Sequence, residues 1–96
     1  MTEVTWSLPA LADLRAIDAW LTRNASPEQA VRSLAEISRR ANFLRDFPHG
    51  GRPMIEHDFR VLRVPATPYL ILYRLRPNGV EILRLRHERG DWHVES

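Results

Sequence analysis

The alternation of side chains between Phe59 and Arg86 leaves this chain few folds to choose from. A strand sends successive side chains to opposite faces of its sheet. One parity carries Leu62, Val64, Tyr69, Ile71, Tyr73, Leu75, Leu83 and Leu85, an apolar surface that has to be covered. The other carries Phe59, Val61 and Arg63, then Leu70, Leu72, Arg74 and Arg76, then Val80, Ile82, Arg84 and Arg86, so that each run starts apolar and finishes in arginine. Pro77-Asn78-Gly79 supplies positive-φ positions for a tight hairpin between the last two runs. The prolines of Pro65-Ala66-Thr67-Pro68 cannot donate to a ladder and mark the preceding turn. The pattern predicts three antiparallel strands with one core face and one amphipathic, basic face.

Upstream, Thr2 to Trp6 is short, β-branched and alternating, which suits an edge strand of the same sheet. Ser7 caps a helix from Leu8 to Arg23, with Pro9 in its first turn. Leu11, Leu14, Ile17 and Leu21 recur at helical spacing with Ala10 and Trp20 alongside, while Asp13, Arg15, Asp18 and Arg23 point elsewhere. Ser26-Pro27-Glu28-Gln29 opens a second helix that buries Ala30, Leu34, Ile37, Ala41, Leu44 and Phe47 and stops at Pro48. Periodicity vanishes from His49 to Asp58, which reads as a loop. The expected fold is α+β in the order β-α-α-β-β-β, an antiparallel helical hairpin packed on one face of an antiparallel sheet, with residues 1–96 forming a single domain.

Cysteine is absent, which excludes disulfides, thiolate zinc sites and a thiol nucleophile. The N-terminal stretch lacks a secretory pattern and no apolar run reaches membrane-spanning length, so a soluble, cytoplasmic protein is expected. The four histidines, His49, His57, His87 and His93, lack metal-site spacing, and neither metal nor cofactor is expected. No phosphate loop or nucleophile elbow occurs. His87 falls at a strand end on the core parity, where it serves either as a general acid or base or simply as a hydrogen-bonding cap.

All 14 basic residues are arginine, and six lie between Arg60 and Arg86. Together with Arg89 they fit an acidic peptide or a nucleic acid, since guanidinium binds carboxylate and phosphate bidentately; the plain alternative is a solvated sheet face. Phe59, Leu70, Leu72, Val80 and Ile82 beside them predict that something covers that face.

Ala12-Asp13-Leu14, Pro48 with Gly51-Arg52, Arg60, the Tyr69-x-Ile71-x-Tyr73 strand, Ile82 and His87-x-Arg89-x-x-Trp92 together resemble the RelE/ParE superfamily of toxins from type II toxin-antitoxin modules, over nearly the whole chain. The resemblance implies the fold read above and an antitoxin partner whose C-terminal segment wraps the toxin as a hetero-oligomer. Leu70, Leu72, Arg74, Arg76, Ile82, Arg84 and Arg86 are the expected antitoxin contacts. Two activities are at stake. ParE-like members block DNA gyrase, whereas RelE-like members cut mRNA on the ribosome, a role for which Arg63, Arg84, Arg86, His87 and Arg89 are the candidate catalytic set. The tail His87-Glu88-Arg89-Gly90-Asp91-Trp92 resembles the ParE-like branch, and the lack of lysine and of a C-terminal tyrosine departs from RelE-like sites. A binding module that keeps only the fold is the third reading.

Overall fold

The computed structural model describes residues 2–90. In chain order it contains β1 (Glu3–Trp6), α1 (Leu8–Asn24), α2 (Pro27–Asp46), β2 (Arg52–Pro53), β3 (Arg60–Arg63), β4 (Tyr69–Arg76) and β5 (Gly79–His87). The strands form one sheet in the order β1-β5-β4-β3-β2. Both helix starts are capped as the sequence predicts, Ser7 accepting from the Ala10 N–H at 3.1 Å and Ser26 from Gln29 at 3.0 Å.

The α+β class and the helical hairpin are as expected, with two differences in the sheet. First, β1 joins β5 in parallel, so the sheet is mixed rather than antiparallel. The chain reaches β5 only after both helices and three strands, and strand alternation carries no information about that direction. Second, the expected loop at His49–Asp58 contains β2, a two-residue edge strand paired with β3 through Arg52↔Val61 and Pro53↔Arg60. Pro53 is tolerated there because an edge strand has one side without ladder partners.

The helices bury Ala10, Leu21, Ala30, Ile37, Ala41 and Leu44 against Leu62, Val64, Tyr69, Ile71, Tyr73, Val80, Ile82 and Leu85 of the sheet side. Val80 and Ile82 therefore belong to the core, contrary to the parity assigned them above. The ladder runs Leu72↔Arg84 and then Tyr73↔Ile82, which leaves Leu83 as the unmatched residue of a β-bulge. A single extra residue inverts the faces of everything beyond it. Leu83 is accordingly only half-buried, and Leu75, at the far end of β4, is 40% exposed. On α2, Leu34 is half-buried, Ser33 takes the buried position beside it, and Phe47 lies 57% exposed against the ring of Phe43.

Two glycines are required by close approach. A Cβ on Gly79 would lie 2.0 Å from the Glu3 carbonyl oxygen, so this residue lets β1 dock on the hairpin. A Cβ on Gly51 would lie 2.6 Å from the Tyr73 ring. There the buried Tyr73 hydroxyl accepts from Gly51 N–H and donates to Pro48 O, both at 2.8 Å. Burial raises the Tyr73 pKa above its ordinary value against the pull of the Gly51 hydrogen bond and of Arg60.

Candidate functional site

The functional candidates gather along β5, where β1 stops short of its longer neighbour. Past Trp6 the outer edge of β5 would leave orphan backbone groups. The turn into α1 satisfies them: Ser7 N–H donates to Ile82 O at 2.9 Å and Ser7 Oγ to Leu83 O at 2.8 Å. One helical turn and a half further on, Asp13 Oδ2 accepts the Leu85 N–H at 3.0 Å.

Asp13 also receives two arginines. Arg84 is bidentate on it, Nε to Oδ2 at 2.8 Å and Nη2 to Oδ1 at 2.9 Å, and Arg86 Nη1 reaches Oδ2 at 3.4 Å. Arg84 and Arg86 flank Leu85, so they leave the strand on the face away from the core and turn round its edge to reach the helix. Burial pushes the Asp13 carboxyl up, but the Arg84 and Leu85 hydrogen bonds and the two positive charges outweigh it and hold the pKa below the usual carboxylate value. The same hydrogen bond raises Arg84 above its ordinary value.

The arginines of β3 and β4 are engaged as well, Arg63, Arg74 and Arg76 by carboxylates and Arg60 by backbone carbonyls. Glu81 stands opposite Arg74 in the β4–β5 ladder and accepts from it at 2.9 Å, with Arg76 at 3.2 Å from the same oxygen. Arg63 lies 3.6 Å from Glu88. Arg60 Nη1 donates to Gly51 O at 2.7 Å and His49 O at 3.3 Å. Every arginine from Arg60 to Arg86 thus has a partner within the chain.

Of the expected antitoxin contacts, Ile82 is corrected outright: it is 0% exposed on the helix side, placed there by the bulge. Leu72 is 1% exposed, standing between its cross-strand neighbours Val61 and Arg84, and offers no free surface either. Leu70 and Arg74 are half-buried and Arg76 is exposed, while Arg84 and Arg86 are committed to Asp13.

Most of the candidate catalytic residues already have partners within the chain. His87 pairs with Tyr69 on the core side of the sheet, its ring edge-on to the tyrosine at 5.8 Å, and its Nδ1 accepts the Arg89 N–H at 3.1 Å. Arg63 is held at Glu88, and Arg84 and Arg86 share only Asp13. Among the described residues no His, Asp or Glu cluster is arranged to hold a metal, and no helix is long and apolar enough to cross a membrane. Asp91, Trp92 and His93, part of the expected tail, lie outside the described residues.

The sequence reading missed the acceptors, Asp13 and Glu81. Glu81 was findable, because with Arg76 and Gly79 closing the hairpin the register sets residue 81 opposite residue 74. Asp13 had no such signal, since its partner lies 71 residues away.

Residues 4–92 match the profile of the ParE toxin of the type II toxin-antitoxin system parDE. The chain belongs to the ParE toxin family. It is 34% identical over 89 residues to Y4kP of Sinorhizobium fredii, which is named as a toxin, covering 93% of this chain and 91% of that one. It is 36% identical over 87 residues to toxin RelE2 of Caulobacter vibrioides, covering 91% of this chain and 96% of the relative. A solved chain of the chromosomal ParDE toxin-antitoxin system of P. aeruginosa superposes with a TM-score of 0.81 at 26% identity, over 91% of this chain and 96% of that chain. As a ParE-family toxin of a type II module, the protein has an antitoxin partner.

Proposed function

We propose that this ParE-family chain acts as a single-domain cytoplasmic toxin that inhibits DNA gyrase and is neutralised by its cognate antitoxin, and that it is not a ribosome-dependent nuclease. The observation that carries this reading is the engagement of Arg84 and Arg86 by Asp13, at 2.8 and 3.4 Å, with His87 on the Tyr69 side of the sheet. A phosphodiester-cleaving site needs an acid or base and a charge stabiliser around one phosphate, with the cations free to receive it. Here Asp13 already engages both guanidinium groups, and a phosphate would have to compete with it. Leu70, Arg74 and Arg76 keep enough surface for an antitoxin segment, whose carboxylates would compete with Glu81 for the two guanidinium groups.

The second reading, ribosome-dependent mRNA cleavage, is favoured by the likeness to toxin RelE2. One pair of assays separates the two. The purified chain is expected to block gyrase supercoiling and to leave mRNA intact on translating ribosomes. Cleavage of mRNA with gyrase unaffected, slowed roughly a hundredfold or more by His87→Ala, would replace the gyrase reading with the nuclease one.

A further inference from the structure

Three consecutive residues of β5 aim donors at a single carboxylate. Asp13 Oδ2 accepts from Arg84 Nε at 2.8 Å, from Leu85 N–H at 3.0 Å and from Arg86 Nη1 at 3.4 Å, and Oδ1 accepts from Arg84 Nη2 at 2.9 Å. The donors belong to the strand and the acceptor to α1. The donor set is held by the strand itself, because residues 84 to 86 are paired to Leu72, Ile71 and Leu70 of β4 and Arg86 Nη1 also donates to Leu85 O at 3.2 Å. A guanidinium fork beside a backbone N–H receives phosphate oxygens with the same geometry as carboxylate oxygens.

Anchoring α1 to the strand does not by itself require a charge at position 13. At Ser7 the same junction is closed by uncharged groups, which serve Ile82 O and Leu83 O, and a neutral acceptor would serve the Leu85 N–H equally well. The carboxylate answers the arginines. Two guanidinium groups share its one negative charge, and the other carboxylates paired along the sheet are already engaged, Glu81 by Arg74 and Arg76 and Glu88 by Arg63. The Arg84 side chain is 39% exposed against 17% for Asp13, so the guanidinium stays open to solvent anions while Asp13 holds it.

We infer that Arg84, the Leu85 N–H and Arg86 form a phosphate-binding cradle that Asp13 keeps closed, and that this one carboxylate holds the free chain off polynucleotides. Asp13 is tethered beside the cradle, so a phosphodiester arriving from solution competes against an acceptor already in place. Neutralising Asp13 opens the cradle without moving the strand that carries its donors.

The test uses the whole chain and a single-stranded RNA oligomer titrated over a range of salt. Asp13→Asn keeps an acceptor for the Leu85 N–H and removes the charge. Asp18→Asn, at an exposed carboxylate of the same helix with no ion pair among the described residues, is the charge-matched control. Asp13→Asn is expected to bind about tenfold tighter or more at low salt, its slope of log K against log salt steeper by about −1.4, the value of two phosphate contacts. Asp18→Asn is expected to match wild type, and adding Arg84→Ala and Arg86→Ala to Asp13→Asn is expected to abolish the gain. Replacing chloride by inorganic phosphate at equal ionic strength is expected to raise the melting temperature of Asp13→Asn more than that of wild type or Asp18→Asn, because a ligand of the folded state stabilises it. If Asp13→Asn is unfolded in chloride, phosphate is expected to refold it, and no recovery would overturn the inference. A wild-type slope and a wild-type response to phosphate in folded Asp13→Asn would overturn it too, as would an equal gain in Asp18→Asn or a gain that survives loss of both arginines. Gyrase is absent from both measurements, so either result leaves the toxin's target to its own assay.

Discussion

The basic face of the sheet and the outward face of α1 carry similar mixtures of arginine and apolar side chains, yet the fold treats them in opposite ways. On the sheet, Asp13, Glu81 and Glu88 are delivered to Arg84, Arg86, Arg74, Arg76 and Arg63, and Leu72 among them sinks to 1% exposure. On α1, Arg15 and Arg23 have no ion pair among the described residues, and Leu8, Ala12, Ala16, Ala19 and Trp20 are exposed. Composition alone ranks the sheet as the richer binding surface. Tertiary pairing reverses that order, because a guanidinium held by a carboxylate has to be released before it can bind anything else.

The comparison can be broken most severely from beneath, through the core both regions share. Ile37, 0% exposed on α2, is expected to cost about 2 to 5 kcal/mol when cut to alanine. Chemical denaturation that shows no loss would mean that the helices do not cover the sheet as described.

Asp13→Ala comes next, expected to cost about 1 to 3 kcal/mol, because it strands the Leu85 N–H and leaves Arg84 and Arg86 facing each other without an anion. A pH profile gives an independent view. The Asp13 pKa is depressed in the folded state, so its contribution is fully present above its unfolded value near 3.8 and is lost as pH falls below that value toward the folded one. Wild-type stability is expected to drop more steeply below pH 3.8 than that of Asp13→Asn, and parallel profiles would remove Asp13 from its central place.

Glu81→Gln is expected to cost only about 0 to 1 kcal/mol, because its partners Arg74 and Arg76 are substantially solvated. Smallest of all, Trp20→Glu on the outward face of α1 is expected to stay within about 0.5 kcal/mol of wild type in the isolated chain. A large loss there would show that the tryptophan is structural, and the contrast between the two faces would fail.

Much of this fold was legible in the sequence because its signals are local. Ser7 and Ser26 cap where their spacing to the following turn requires it, and Pro48 follows the end of α2. The Pro77-Asn78 hairpin returns β5 along β4 as its turn chemistry predicts. What was hidden depended on tertiary context. The bulge at Leu83 leaves no compositional trace, yet it moves Val80 and Ile82 into the core and takes Ile82 out of the candidate contact surface. The direction of β1 and the reach of Asp13 across 71 residues are likewise set by how α1 lies along β5. Candidate sites chosen by strand parity inherit every such error, whereas burial and ion-pair partners do not.

The central claim, that the arginines from Arg60 to Arg86 are held by partners within the chain, is tested most directly by the salt dependence of binding to a single-stranded RNA oligomer. For single strands log K falls against log salt with a slope of about −0.7 per phosphate contact, so six free sheet arginines would give roughly −4. The account predicts weak binding with a slope no steeper than about −1.5, little changed by alanine at Arg74, Arg76, Arg84 and Arg86. A slope near about −4 that collapses with those four substitutions would contradict it.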